Sequence, residues 1–123
     1  MSNLPGDPLL NISINSFAEK FRKGEINCEQ IVTSYLNRIE ALNDKLNAFI
    51  FIDENKAIEN AIAIDKLLKS GVDLGRLMGL PVAIKDICSV NDMPTTNGSI
   101  VNSDDITGKE GKLVKRLKEL GCV

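Results

Sequence analysis

Residues 79–99, Gly-Leu-Pro-Val-Ala-Ile-Lys-Asp-Ile-Cys-Ser-Val-Asn-Asp-Met-Pro-Thr-Thr-Asn-Gly-Ser, concentrate the groups able to do chemistry. The apolar run Val82 to Ile84 reads as the end of a buried strand, and Lys85 and Asp86 follow it directly. A cation at the mouth of an apolar strand is costly unless something downstream uses it. Lys85 therefore ranks first as a candidate catalytic group. The plainer reading is a strand-end lysine with its head in solvent. Asp86 is expected in a structural role, because neighbouring residues of a strand point to opposite faces. A close contact with Lys85 would raise the lysine pKa and oppose its use as a base. Thr96, Gly98 and Ser99 are expected to line the adjoining cavity, with Ser99 as nucleophile an outside alternative because no base lies near it in sequence. Cys88, three residues past Lys85, offers a thiol alternative that only that lysine would activate.

Composition removes several classes of enzyme. The chain has no histidine, so it cannot itself form a Ser-His-Asp or Cys-His site or an H-E-x-x-H zinc site. Cys28, Cys88 and Cys122 are scattered, which argues against a disulfide framework and for a reducing, cytoplasmic setting. No metal or cofactor is implied. A net charge of −2 over 123 residues gives no footprint for nucleic acid or anionic membrane. The basic residues Lys109, Lys112, Lys115, Arg116 and Lys118 read as a solvated helix face. No secretory signal opens the sequence, and its longest strongly apolar stretch, Ala48 to Ile52, is too short to span a bilayer.

The elements that must position Lys85 follow from periodicity. Residues 1 to about 12 read as an extended lead-in. Ser16-Phe-Ala-Glu19 fits a capping box for a short helix to about Lys23. Asn27 with Gln30 starts a second, long helix with Ile31, Tyr35, Ile39, Leu42 and Leu46 on its apolar face. Ala48 to Ile52 reads as a buried strand. Asp53 caps a third helix that Ser70-Gly71 ends. Leu80 to Lys85 is a second strand, and Lys109 to Leu120 a last helix with Leu113, Val114, Leu117 and Leu120 on one side. Cys122-Val123 looks like the first step of another strand. The class is α/β, with N-terminal helices to about residue 47 and strand alternating with helix from about 48.

Gly79-Leu-Pro-Val-Ala-Ile-Lys-Asp86 followed by Thr95-Thr-Asn-Gly-Ser99 resembles the N-terminal part of the amidase signature family. Leu46-Asn-Ala-Phe49 and Val114-Lys-Arg-Leu-Lys-Glu-Leu-Gly121 are similar to flanking segments of the same family. The resemblance implies a single amidase-signature domain that cleaves a small amide through a Ser–cisSer–Lys triad, with residues 1–123 its N-terminal portion: a helical lead-in to about residue 47, then the first strands of a mixed sheet flanked by helices from about 48 to 123. Lys85 aligns with the triad lysine. Both serines fall past residue 123, so the chain alone is expected to be inactive and to need the remainder of the domain or a complementary chain. A free-standing amidase is favoured over the A subunit of glutamyl-tRNA(Gln) amidotransferase. A non-catalytic half of a split protein, acting as an interaction module, is the alternative from another class.

Overall fold

Helix signals and tertiary contacts agree through the first half of the chain. The computed structural model describes residues 5–123 and contains helices α1 (Ile14–Arg22), α2 (Cys28–Leu46), α3 (Glu54–Lys69) and α4 (Lys112–Glu119), with a 3-10 turn at Ile100–Asn102. Residues 1–4 of the expected lead-in lie outside the described residues, and the rest is not extended: it turns at 8–11, with Leu10 N–H bonded to Asp7 O and Ile12 N–H to Leu9 O.

Each cap has a local cause. The Asn27 side chain accepts from Gln30 N–H, and that of Asp53 from Lys56 N–H, so each covers a first-turn amide that the helix leaves unpaired. α1 is capped by Ser13, three residues before the expected Ser16, because the Ser13 side chain accepts from Ser16 N–H. α2 and α3 pack against each other. Asp65, late in α3, accepts from Cys28 N–H at 2.8 Å and Glu29 N–H at 3.0 Å, so the pair runs antiparallel. A buried carboxylate at a helix N-terminus meets both unpaired donors and the positive end of the dipole.

The core gathers Phe17, Phe21, Cys28, Ile31, Val32, Ala61 and Met78. Phe17 and Phe21 stack with centroids 5.9 Å apart. Gly79, at φ +83°, lies under the Phe21 ring, where a Cβ would come within 2.9 Å of Cζ. Only a residue without Cβ allows that approach. Arg22 ties the end of α1 to Asp73 through two bonds, Nε–Oδ2 at 2.6 Å and Nη2–Oδ1 at 2.9 Å.

No β-strand forms among the described residues, which corrects the expected strands at 48–52 and 80–85. Ile50, Phe51 and Ile52 are exposed rather than buried. Their approach is set instead by Asn43, whose side chain both accepts from Phe49 N–H and donates to Phe49 O. The second segment has the beginnings of pairing. Val123 N–H bonds Leu80 O, and Val82 N–H bonds Val123 O at 2.7 Å. Bonds flanking Pro81 in this way belong to a parallel register, in which the missing proline N–H faces away from the neighbour. Gly79 N–H to Gly121 O, 2.8 Å, extends the contact. α4 starts three residues later than expected, at Lys112 after Gly111, and Leu113 is 59% exposed while Val114 is buried.

Candidate active site

Lys85 ends the segment that Gly79, Leu80 and Val82 anchor to residues 121–123. A tight turn follows, closed by Cys88 N–H to Lys85 O at 2.9 Å. The Lys85 side chain is exposed, and among the described residues the ion pairs involve other groups: Arg22–Asp73, Lys56–Asp92, Arg116–Glu119 and Lys118–Glu110. Val82 and Ala83 are themselves exposed and Ile84 is half-buried, so the apolar run does not enclose the amine.

Asp86 turns to the polar loop. Its carboxylate accepts from Thr96 N–H at 2.7 Å, from the Thr96 hydroxyl and from Gly98 N–H at 3.0 Å. Its carbonyl accepts from Asn97 N–H at 3.1 Å. Asn97 and Gly98 are both left-handed, at φ +52° and +73°. This curvature points amide N–H groups inward and makes an anion-binding concavity, here filled by the chain's own carboxylate. The Thr96 hydroxyl, then the Thr96 and Gly98 amides, hold the Asp86 carboxyl below the usual carboxylate range. The sequence favours a structural role for Asp86 without choosing between Lys85 and backbone groups as its partner, and in the structure its partners are the loop amides and the Thr96 hydroxyl.

The other expected residues are brought close but differ in availability. Thr96 is buried at 4% exposure, with its N–H and hydroxyl directed at Asp86. Gly98 is exposed, with its N–H on the same carboxylate and on the Thr96 hydroxyl. Ser99 is half-buried, and its side chain makes no capping bond to the 3-10 turn it precedes. Thr95, which no sequence pattern singles out as a site residue, is buried with an unpartnered hydroxyl, and its N–H bonds Asp105 O. Cys88 is half-buried beside the Lys85 turn. Among the described residues no three His, Cys, Asp or Glu side chains come together to hold a metal. No helix there is long and apolar enough to cross a membrane.

A family model described as amidase matches residues 30–123. The A subunit of the glutamyl-tRNA(Gln) amidotransferase of Streptomyces coelicolor is 34% identical over 115 residues, which is 94% of this chain and 23% of that protein. Its counterpart in Desulfotalea psychrophila is 36% identical over 112 residues, 91% of this chain and 23% of its own. The native peptide amidase of Stenotrophomonas maltophilia superposes with a TM-score of 0.89 at 26% identity, over 96% of this chain and 24% of the amidase. A chain from a vestigial protein complex bearing on the origins of an s-triazine catabolic enzyme gives 0.83 at 28% identity, over 91% of this chain and 25% of its own. The chain thus spans about a quarter of the length of the relatives it matches.

Proposed function

The chain belongs to the amidase family, and from that premise we propose that it contributes Lys85 as the base of an enzyme that hydrolyses carbon–nitrogen amide bonds. The observation that carries this reading is the position of Lys85 on an anchored segment, in no ion pair among the described residues, beside the loop 95–99. In this reading the two serines of the Ser–cisSer–Lys triad come from polypeptide outside these 123 residues. A serine hydroxyl needs a base to attack an amide. A lysine in water, with a reference pKa of about 10.4, is protonated at neutral pH and serves only when burial disfavours its charge. Because residues 82–84 leave the amine exposed, the covering polypeptide must also exclude water from it.

In the proposed cycle the neutral amine takes the proton of the bridging serine, which takes that of the nucleophile. The nucleophilic oxygen bonds to the carbonyl carbon. The carbon–nitrogen bond breaks as the proton returns to the leaving nitrogen, and water then hydrolyses the acyl-serine ester. Ser99, and less directly Thr96 and Gly98, would line the substrate cavity. No metal or cofactor takes part, and neither nucleic acid nor membrane is contacted by this segment. The free thiols Cys28, Cys88 and Cys122 suit a reducing, cytoplasmic compartment.

A second substrate reading rests on the names of the relatives at 34–36% identity, which are A subunits of glutamyl-tRNA(Gln) amidotransferase. The amide would then be that of glutamine, and other chains would complete the enzyme. The experiment for both joins this chain to the remainder of the Stenotrophomonas maltophilia peptide amidase, replacing the 24% it matches. Release of ammonia from a peptide amide or from glutamine separates the two substrates. Lys85→Ala should lower turnover by roughly 10²–10⁴-fold, the usual size of a general acid–base contribution. Turnover that survives this change removes Lys85 from the chemistry, and a folded chimaera inert to both amides defeats the reading.

A further inference from the structure

We infer that Asp86 is a positioning residue for Lys85, holding the backbone from which the amine projects by locking it to the loop 96–98. The inference rests on the reading of Lys85 as the base. Four bonds converge on one residue: Thr96 N–H, the Thr96 hydroxyl and Gly98 N–H on the carboxylate, and Asn97 N–H on the carbonyl. All four come from a single loop, and that loop has its own anchors. Thr95 N–H bonds Asp105 O at 3.0 Å, and the Asn102 amide reaches Thr96 O at 3.3 Å. On its other side Lys85 is fixed by the register of residues 79–82 with 121–123.

The lysine therefore lies between two tethers, and Asp86 is the nearer. The same bonds turn the acid toward the loop, so it forms no ion pair with the amine, and the Lys85 charge is the least of the causes acting on the carboxyl. A carboxylate satisfied by three donors of the loop has no need of the amine, which is in no ion pair with it. An aspartate directly after a lysine base would otherwise favour the ammonium. Asparagine keeps an oxygen for the Thr96 N–H, but its NH2 would leave the Gly98 N–H without that acceptor and would turn the Thr96 hydroxyl from donor to acceptor.

The test uses the same chimaera. Asp86→Asn should lower kcat by at least about tenfold, which one charge-assisted hydrogen bond readily accounts for, while KM stays within about threefold. A change that only weakened the fold would lower the amount of active enzyme and leave kcat per folded molecule unaltered. Thr96→Val removes the hydroxyl, with its bond to Asp86 and the bond it accepts from Gly98 N–H, and should cost kcat about fivefold, with Thr96→Ser restoring it. Should Asp86→Asn fail to fold, the Thr96 pair decides. Unaltered kcat in the folded Asp86→Asn or in Thr96→Val, with Lys85→Ala inactive, overturns the positioning role and leaves the base intact. Activity retained by Lys85→Ala instead removes the base and the positioning role together.

Discussion

The carboxylate of Asp65 caps α2 from across the interhelical contact, accepting from Cys28 N–H at 2.8 Å while the Cys28 thiol donates to Gly79 O at 3.2 Å. One buried link thus joins α3, the start of α2 and the segment leading to Lys85. Asp65→Ala should destabilise the chain by about 1–3 kcal/mol, the range for losing a cap and leaving buried donors unpaired. Urea unfolding followed by circular dichroism measures it. A midpoint equal to that of the parent would show that water replaces the carboxylate without cost.

Gly79→Ala should be worse than a usual glycine-to-alanine change. The added carbon meets the Phe21 ring at 2.9 Å and demands φ +83° of an L-residue. The two effects together should cost about 2–4 kcal/mol. The steric part should shrink when Phe21 is first replaced by Leu, so the double mutant should lose less than the sum of the two singles. Additive losses in thermal melts would mean that the ring simply moves aside.

The sole tyrosine reports on the N-terminal lead-in. Burial, then the bond from Tyr35 to Asp7 Oδ1 at 2.8 Å, pushes the phenol up to about 12. Its unfolded value is about 10. A raised folded pKa means the contribution is whole below about pH 10 and disappears as pH climbs through 12. Absorbance of the phenolate should follow a titration centred near 12 in the folded chain. Asp7→Asn should shift it down only part of the way, because burial is the larger cause. Titration of the parent near 10, its unfolded value, would place the hydroxyl in water.

The thiols should react in a fixed order. Burial, and secondarily the nearby Asp65 charge, pushes Cys28 up to about 12, and burial also raises Cys122. Thiolate is the reacting form. A disulfide reagent at pH 8 should therefore label Cys88 first, Cys122 more slowly, and Cys28 only with global unfolding. Mass spectrometry of the labelled peptides reads the order, and early labelling of Cys28 would contradict the packing around it.

Sequence rules work where the determining partner is close along the chain. Asn27 with Gln30, Asp53 and Ser70-Gly71 mark real helix ends. The start of α1 departs from expectation because Ser16 fits the capping box but Ser13, three residues earlier and outside that pattern, makes the bond. Residues 48–52 and 80–85 have strand composition, but a ladder needs a neighbour. Only Leu80 and Val82 find one, in Val123. The place of Lys85 at the end of that segment is legible in the sequence. The hold of Asp86 on Thr96 and Gly98 is not, because ten and twelve residues separate the partners and no local pattern encodes the link. The apolar run before Lys85 does not enclose the amine, since Val82 and Ala83 are themselves exposed.

Gly121 has a consequence for what can vary at the far end of the chain. A side chain there would press on Met78 Cγ at 3.0 Å and Leu74 Cδ1 at 3.1 Å, so α4 is seated by bare backbone, with Val114 the helix's buried side chain. Most of its other positions face outward. Lys112 and Lys115, which join none of the ion pairs among the described residues, can consequently be rewritten as acids, redrawing the electrostatic complexion of the exterior, while the interior keeps its fit.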